Sequence, residues 1–307
     1  MTWQCAMTVT GPLDGKDLGV TYVHEHLMVR PQLDDPAYGP YTLQEEDASA
    51  RETRSFLRAG GRTLVEMTPL HYGRNIAACR RIAQRTGAQI ICCTGFHKEL
   101  FMPPWFDEKS DLQLYDLLME EVLHGMDGTG VRPGVLKLGT SYEQITPREQ
   151  RALEAAARVH RDTGIPLSTH CDKGTMGREQ LRALERCGVD PADVLLCHID
   201  SRQDIAYAKD LCRAGATICI DHVGRELQDG DAFRLRMIRE LVEAGYAGQV
   251  TLAGDMGKTD YLPAYGGKPG FAYILTELYP ALLPCIGEQA LHTMLVENPR
   301  RIFAGRS

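Results

Sequence analysis

His24 and His26 flank a single residue, Glu25, at the end of a run that reads as a strand, Thr21–His26. Residues two apart on a strand share a face, so both imidazoles point to one side and Glu25 turns to the other. Two neutral imidazoles converging at a strand end suit a metal ion; two ordinary polar residues are the plainer reading. Three later apolar runs also end in ligand-type side chains: Ser168-Thr169-His170, Leu195-Leu196-Cys197-His198 and Ala253-Gly254-Asp255. A fourth, Gly134-Val135-Leu136-Lys137-Leu138-Gly139, carries a lysine among apolar neighbours. Burying an ammonium is costly unless it is paired or neutralised. Two readings of Lys137 therefore stand side by side. It pairs with a nearby carboxylate, or its amine has added CO2 to give a carbamate whose oxygens bridge two metals.

The elements that must position these residues alternate along the chain. Candidate strands are Thr21–His26, Thr63–Met67, Gln89–Thr94, Val135–Leu138, Ile165–His170, Val194–His198, Thr217–Asp221 and Val250–Asp255. Between them lie helical patterns, among them Arg148–Thr163, Arg178–Cys187, Gln203–Ala214 and Ala232–Ala244. Each of these four stops at or just before a glycine (164, 188, 215, 245), the usual helix C-cap. Eight strands alternating with helices predict an α/β fold, a (β/α)8 TIM barrel, whose active sites assemble at the C-terminal strand ends. A doubly wound sheet would carry a glycine-rich phosphate turn after the first strand, and none is present. Residues 7–19 read as a hairpin turning at Asp14-Gly15 that covers the barrel base. Glu297–Gly305 reads as a final helix on the outer ring. With no linker or low-complexity segment, one domain over 1–307 is expected.

Composition narrows the classes. The hydrophobic share of 43% and charged share of 24% are those of a soluble globular protein. A net charge of −7 argues against nucleic acid or an anionic membrane as partner. No apolar run approaches the roughly 18–20 residues that span a bilayer. The opening Met-Thr-Trp-Gln-Cys lacks a basic region followed by an apolar run, so no secretory signal is read. Ten cysteines, several in strand-like runs (Cys92, Cys93, Cys197, Cys219) and none in a CxxC pair, fit free thiols in a reducing cytoplasm.

HxH on the first strand, Lys on the fourth, His on the fifth and sixth and Asp on the eighth resemble the phosphotriesterase family of the amidohydrolase superfamily. The run Leu18-Gly19-Val20-Thr21-Tyr22-Val23-His24-Glu25-His26-Leu27 and the closing Glu297-Asn298-Pro299 are similar to its motifs. The resemblance implies that His24, His26 and Asp255 bind the more buried of two divalent metals, and His170 and His198 the more exposed. It implies that Lys137 is N6-carboxylated and bridges both, and that a hydroxide shared between the ions is the nucleophile. Asp255 would accept its proton and pass it to the leaving group. Zinc is the default ion for such a histidine-rich site, with manganese or cobalt as alternatives. A homodimer is implied as well.

Loops after the strands decide the substrate. They carry Lys98, Lys173, Arg225, Lys258 and Lys268, which on an acidic protein suggests an anionic small molecule. Solvated loop charges are the plainer reading of any one of them. A neutral organophosphate would want an apolar pocket instead, toward which Tyr72, Phe96, Trp105, Tyr261 and Tyr265 could contribute. The glycine-rich eighth loop, residues 254–271, resembles that of family members that open sugar lactones, including phosphorylated ones. The expectation is a lactonase for a polar or phosphorylated sugar lactone, with Lys98, Arg225, Lys258 and Tyr265 holding the anion. The alternative is a phosphotriesterase or carboxylesterase using the same centre.

Overall fold

A computed structural model describes residues 4–225 and 230–305. Of the opening residues read for a targeting signal, 1–3 lie outside the described residues.

Eight parallel strands form one sheet in chain order: β3 (Thr21–Glu25), β4 (Thr63–Glu66), β5 (Gln89–Gly95), β6 (Val135–Thr140), β7 (Leu167–Cys171), β8 (Val194–Cys197), β9 (Thr217–Ile220) and β10 (Val250–Leu252). Helices alternate with them: α1 (Glu46–Arg58), α2 (Ile76–Thr86), α3 (Asp111–His124), α4 (Pro147–Thr163), α5 (Gly177–Arg186), α6 (Ile205–Arg213) and α7 (Ala232–Glu243), followed by α8 (Tyr279–His292) and α9 (Asn298–Ala304). This is the expected barrel. Strands such as β6 are buried along their whole length because lumen and helix layer cover opposite faces.

Local chemistry sets the element ends. Thr146 caps α4 in a box with Glu149, Pro147 occupies the first turn, and Gly164 ends the helix at φ 76°. The buried face of α4, which includes Ala152, Leu153, Ala156 and Val159, packs toward β6. Seven of the eight strands begin where the sequence places them, and β7 begins two residues later than expected, at Leu167 in place of Ile165; three stop before their ligand-type residue. His26, His198 and Asp255 lie just past β3, β8 and β10, where a loop frees the side chain from the pleat.

Two expectations are corrected. The N-terminal hairpin pairs β1 (Ala6–Thr8) with β2 (Gly11–Leu13), so it turns at Val9-Thr10 and not at Asp14-Gly15. The Asp14 carboxylate accepts the Lys16 N–H and starts a 3-10 turn instead, an alternative the short Asx side chain offers the backbone. The hairpin does cover the base: the Val9 N–H donates to the Ile90 carbonyl at the start of β5 (2.8 Å). The final helix, α9, also belongs to the base and not to the outer ring alone. Asn298 donates to the Val250 carbonyl at 2.7 Å, and Gly15 lies so close to α9 that a Cβ there would stand 2.7 Å from Ala304 Cβ. All ten cysteines are free thiols.

Candidate metal centre and its cavity

His24, His26, Lys137, His170, His198 and Asp255, drawn from five strands and their ends, all line one cavity of about 260 Å³. His26 Nε2 stands 3.1 Å and His24 Nε2 3.5 Å from Asp255 Oδ1. Lys137 Nζ is 3.2 Å from His24 Nε2. The His170 and His198 ring centroids are 4.5 Å apart, and those of His24 and His198 4.8 Å. His198 and Asp255 both adopt left-handed backbone conformations, at φ 66° and 45°. Non-glycine residues are held there only when the surroundings fix them, which is common at functional sites.

The imidazoles are aimed from behind. Asp221, fully buried, accepts from His198 Nδ1 at 2.9 Å and leaves Nε2 for the cavity. Thr68 Oγ1 lies 2.8 Å from His26 Nδ1 and itself donates to Glu66. Such outer partners fix the ring orientation and tautomer of metal-binding histidines. Burial holds His24, His170 and His198 well below the usual imidazole range, so they are neutral and their lone pairs are free. Burial also pulls on His26, but hydrogen bonds to Asp255 and Glu66 outweigh it and raise it to about 9. Asp255 is likewise penalised by burial, yet Arg225, His222 and His26 hold it well below the carboxylate range.

This donor set fits a divalent cation. The ligand atoms of His24, His26 and Asp255 lie within 4.8 Å of one another. His170 Nε2 is buried in the same cavity without a hydrogen-bond partner, as a lone pair kept for a cation would be. Lys137 is 1% exposed, and no carboxylate stands within ion-pairing distance of it among the described residues. The counter-ion that an ordinary buried lysine needs is therefore missing.

The loop residues divide. Lys98 and Arg225 line the cavity. Lys98 Nζ pairs with Asp172 Oδ2 at 2.7 Å, while Arg225 donates to Asp255 Oδ2 at 2.8 Å and stacks 4.5 Å over the Tyr261 ring. Lys258 does not line the cavity; its Nζ lies 4.3 Å from the ring centroid of Tyr41 and 5.5 Å from that of Tyr261, two tyrosines that do. Tyr265 does not line the cavity: its hydroxyl accepts the Glu45 N–H and donates to the Glu45 carbonyl, pinning the eighth loop to the start of α1. Lys173 and Lys268 are solvent-exposed. Of the expected aromatics only Tyr72 and Tyr261 reach the cavity, and Tyr38, Tyr41 and Phe101 join them. Phe96 packs instead on Phe106, with ring centroids 5.0 Å apart.

Several participants escaped the sequence reading. His97 and His222 line the cavity, His222 stacked on His198 with Nε2 3.5 Å from Asp255 Oδ2. Both follow strands, so the rule that found His170 applied to them equally. Asp221, Glu66 and Thr68 act from behind the ligands and leave no spacing signal. Glu25, opposite the two imidazoles in the alternation, is fully buried and accepts from the Gly254 and Met256 amides. Burial pushes its carboxyl up to about 8 despite those donors.

The chain is 32% identical over 290 residues to a phosphotriesterase homology protein of Escherichia coli (strain K12), covering 93% of this chain and 98% of the relative. It is 30% identical over 322 residues to a phospho-furanose lactonase of Mycoplasmopsis synoviae (strain 53), covering 97% and 91%. Among solved structures, a lactonase from Listeria monocytogenes superposes with a TM-score of 0.94 at 27% identity, covering 99% of this chain and 100% of that one. The profile of the phosphotriesterase family matches residues 5–303, hairpin and closing helix included. A barrel with this ligand-type set, matched from end to end, belongs to the phosphotriesterase family and is a hydrolase.

Proposed function

We propose that this protein is a lactonase for polar or phosphorylated sugar lactones, working with two divalent ions. The carrying observation is that six ligand-type side chains share one small cavity with Lys98 and Arg225. His24, His26 and Asp255 would hold one ion, His170 and His198 the other. Carboxylated Lys137 would join them, which accounts for a buried lysine that has no carboxylate partner among the described residues. Zinc suits the histidine-rich set; manganese and cobalt are the other candidates. When bound, such ions supply Lewis acidity, lowering the pKa of water and polarising a carbonyl.

The chain's own groups do the rest. Asp255, kept ionised by Arg225, His222 and His26, takes the proton of the attacking water. As the ring C–O bond breaks, that proton passes to the ring oxygen and the product is a hydroxy acid. His222, 3.5 Å from Asp255 Oδ2, can share the proton before it leaves. Lys98 and Arg225 supply positive charge for an anionic substituent, with Lys258 near the rings of Tyr41 and Tyr261. Tyr38, Tyr41, Tyr72 and Tyr261 give apolar faces for the sugar ring and close the site against bulk water. The relatives named for lactonase activity support the same substrate class. Free thiols and an acidic surface suit a cytoplasmic enzyme, and a homodimer is part of the proposal.

Those aromatic faces also favour a second reading, a neutral phosphotriester or carboxylic ester in the same cavity. Parallel assays of metal-reconstituted protein on a sugar 1,4-lactone, its 5-phosphate and a neutral phosphotriester separate the two. The proposal expects the highest kcat/KM on the phosphorylated lactone; turnover of the triester alone would overturn it.

A further inference from the structure

Parallel ladders run through the sheet from β3 to β10, but among the described residues none joins β10 back to β3. β10 ends at Leu252, and the chain turns out of the extended conformation at Asp255, beside His24. Other contacts close this seam. The Asp255 N–H donates to the His24 carbonyl at 3.0 Å. Glu25 supplies the remainder: Oε1 accepts the Gly254 N–H at 2.6 Å and Oε2 accepts the Met256 N–H at 3.0 Å. The two gripped amides bracket Asp255, whose left-handed φ of 45° is disfavoured for any residue with a Cβ. Position 254 is tightly packed as well. A Cβ there would stand 2.7 Å from Met256 Cε and 3.0 Å from Glu25 Oε1, so a larger residue would crowd the carboxylate.

We infer that Glu25 is a positioning residue: by gripping the amides on either side of Asp255 it closes the barrel seam and fixes that carboxylate against His24 and His26. Glu25 is fully buried and does not line the cavity, so it acts through the backbone and not on substrate. Two side-chain oxygens are demanded because two donors must be met at once from one side chain. Glutamine offers one oxygen and would leave an amide buried without an acceptor. The consequence for metal binding rests on the reading under Proposed function; the grip itself does not.

The test pairs Glu25→Gln with Glu121→Gln, which disturbs a part-buried ion pair with Arg74 elsewhere in the fold. Chelator competition gives metal affinity, and the visible spectrum of the cobalt-loaded protein reports ligand geometry. Glu25→Gln is expected to weaken metal binding about 10–100-fold, the usual effect of losing a partner behind a ligand. It should shift the cobalt spectrum and lower kcat while KM stays within about twofold. Glu121→Gln should lower Tm and leave affinity and spectrum unchanged. Glu25→Gln with wild-type affinity and spectrum would overturn the inference. If that variant does not fold, hydrogen exchange in metal-free wild-type protein decides: the Gly254 and Met256 amides should be protected, and exchange at open-loop rates would overturn it. Wild-type protein that takes up no divalent metal would contradict the proposed function, while the exchange result would still judge the grip.

Discussion

Four nitrogen groups converge on the Asp255 carboxylate: His24, His26 and His222 at 3.1–3.5 Å and the Arg225 guanidinium at 2.8 Å. The pull of Arg225, His222 and His26 outweighs burial, so the group stays an anion in a site that would otherwise neutralise it. Metal holding and proton transfer then make separable demands on it. Asp255→Asn keeps a ligand oxygen and the volume but cannot accept a proton. We expect it to retain much of its metal by elemental analysis while kcat falls about 10²–10⁴-fold, the range for loss of a general base; near-normal kcat would refute the relay. At this scale five of the six ligand-type residues were legible because each lies at or near a strand end, where a polar side chain has no apolar packing to serve. Lys137 announced itself as an unaffordable charge. Asp221, Glu66 and Glu25 did not, because a carboxylate that serves its neighbours through hydrogen bonds has no characteristic spacing. Tyr38 and Tyr41 were hidden for another reason: they lie in a short 3-10 helix, Pro36–Tyr41, within the long connection after β3, which no apolar periodicity marks.

Strands and helices carry the precision the residues need. β5 and β6 meet at Gly95 and Lys137, with the Phe96 N–H donating to the Lys137 carbonyl at 3.0 Å. A Cβ at Gly95 would collide with that same carbonyl oxygen, and Gly95 also has φ 118°. Gly95→Ala therefore must pry the two strands apart just where Lys137 is presented. The expected outcome is protein with lower Tm and sharply reduced metal content; an alanine variant with full metal occupancy would contradict this account of the strand pair. The periodicities of 2 and 3.6 located all eight strands and the helices sought, since both faces of each element have a defined neighbour. The hairpin turn was misplaced by five residues because Asp-Gly reads equally well as a β-turn and as an Asx cap. Only the pairing partner decides between them.

For the molecule as a whole, closure of the barrel and the chemistry of its mouth are one problem. The hairpin and α9 seal the base, and a seam without a ladder is drawn together beside the ligands at the other end. Fold class followed from the alternation of elements, whereas substrate class did not, because it depends on which loop cations turn inward. Of five basic loop residues, Lys98 and Arg225 do so, both already held by carboxylates, and nothing in their spacing distinguishes them from Lys173 or Lys268. Metal stoichiometry by elemental analysis, measured on reconstituted wild-type protein and on Lys137→Ala, tests the central claim most directly. The account predicts about two divalent ions per chain in the wild type, as in two-metal hydrolytic sites, and their loss together with turnover in the variant. Unchanged metal content in Lys137→Ala would contradict it.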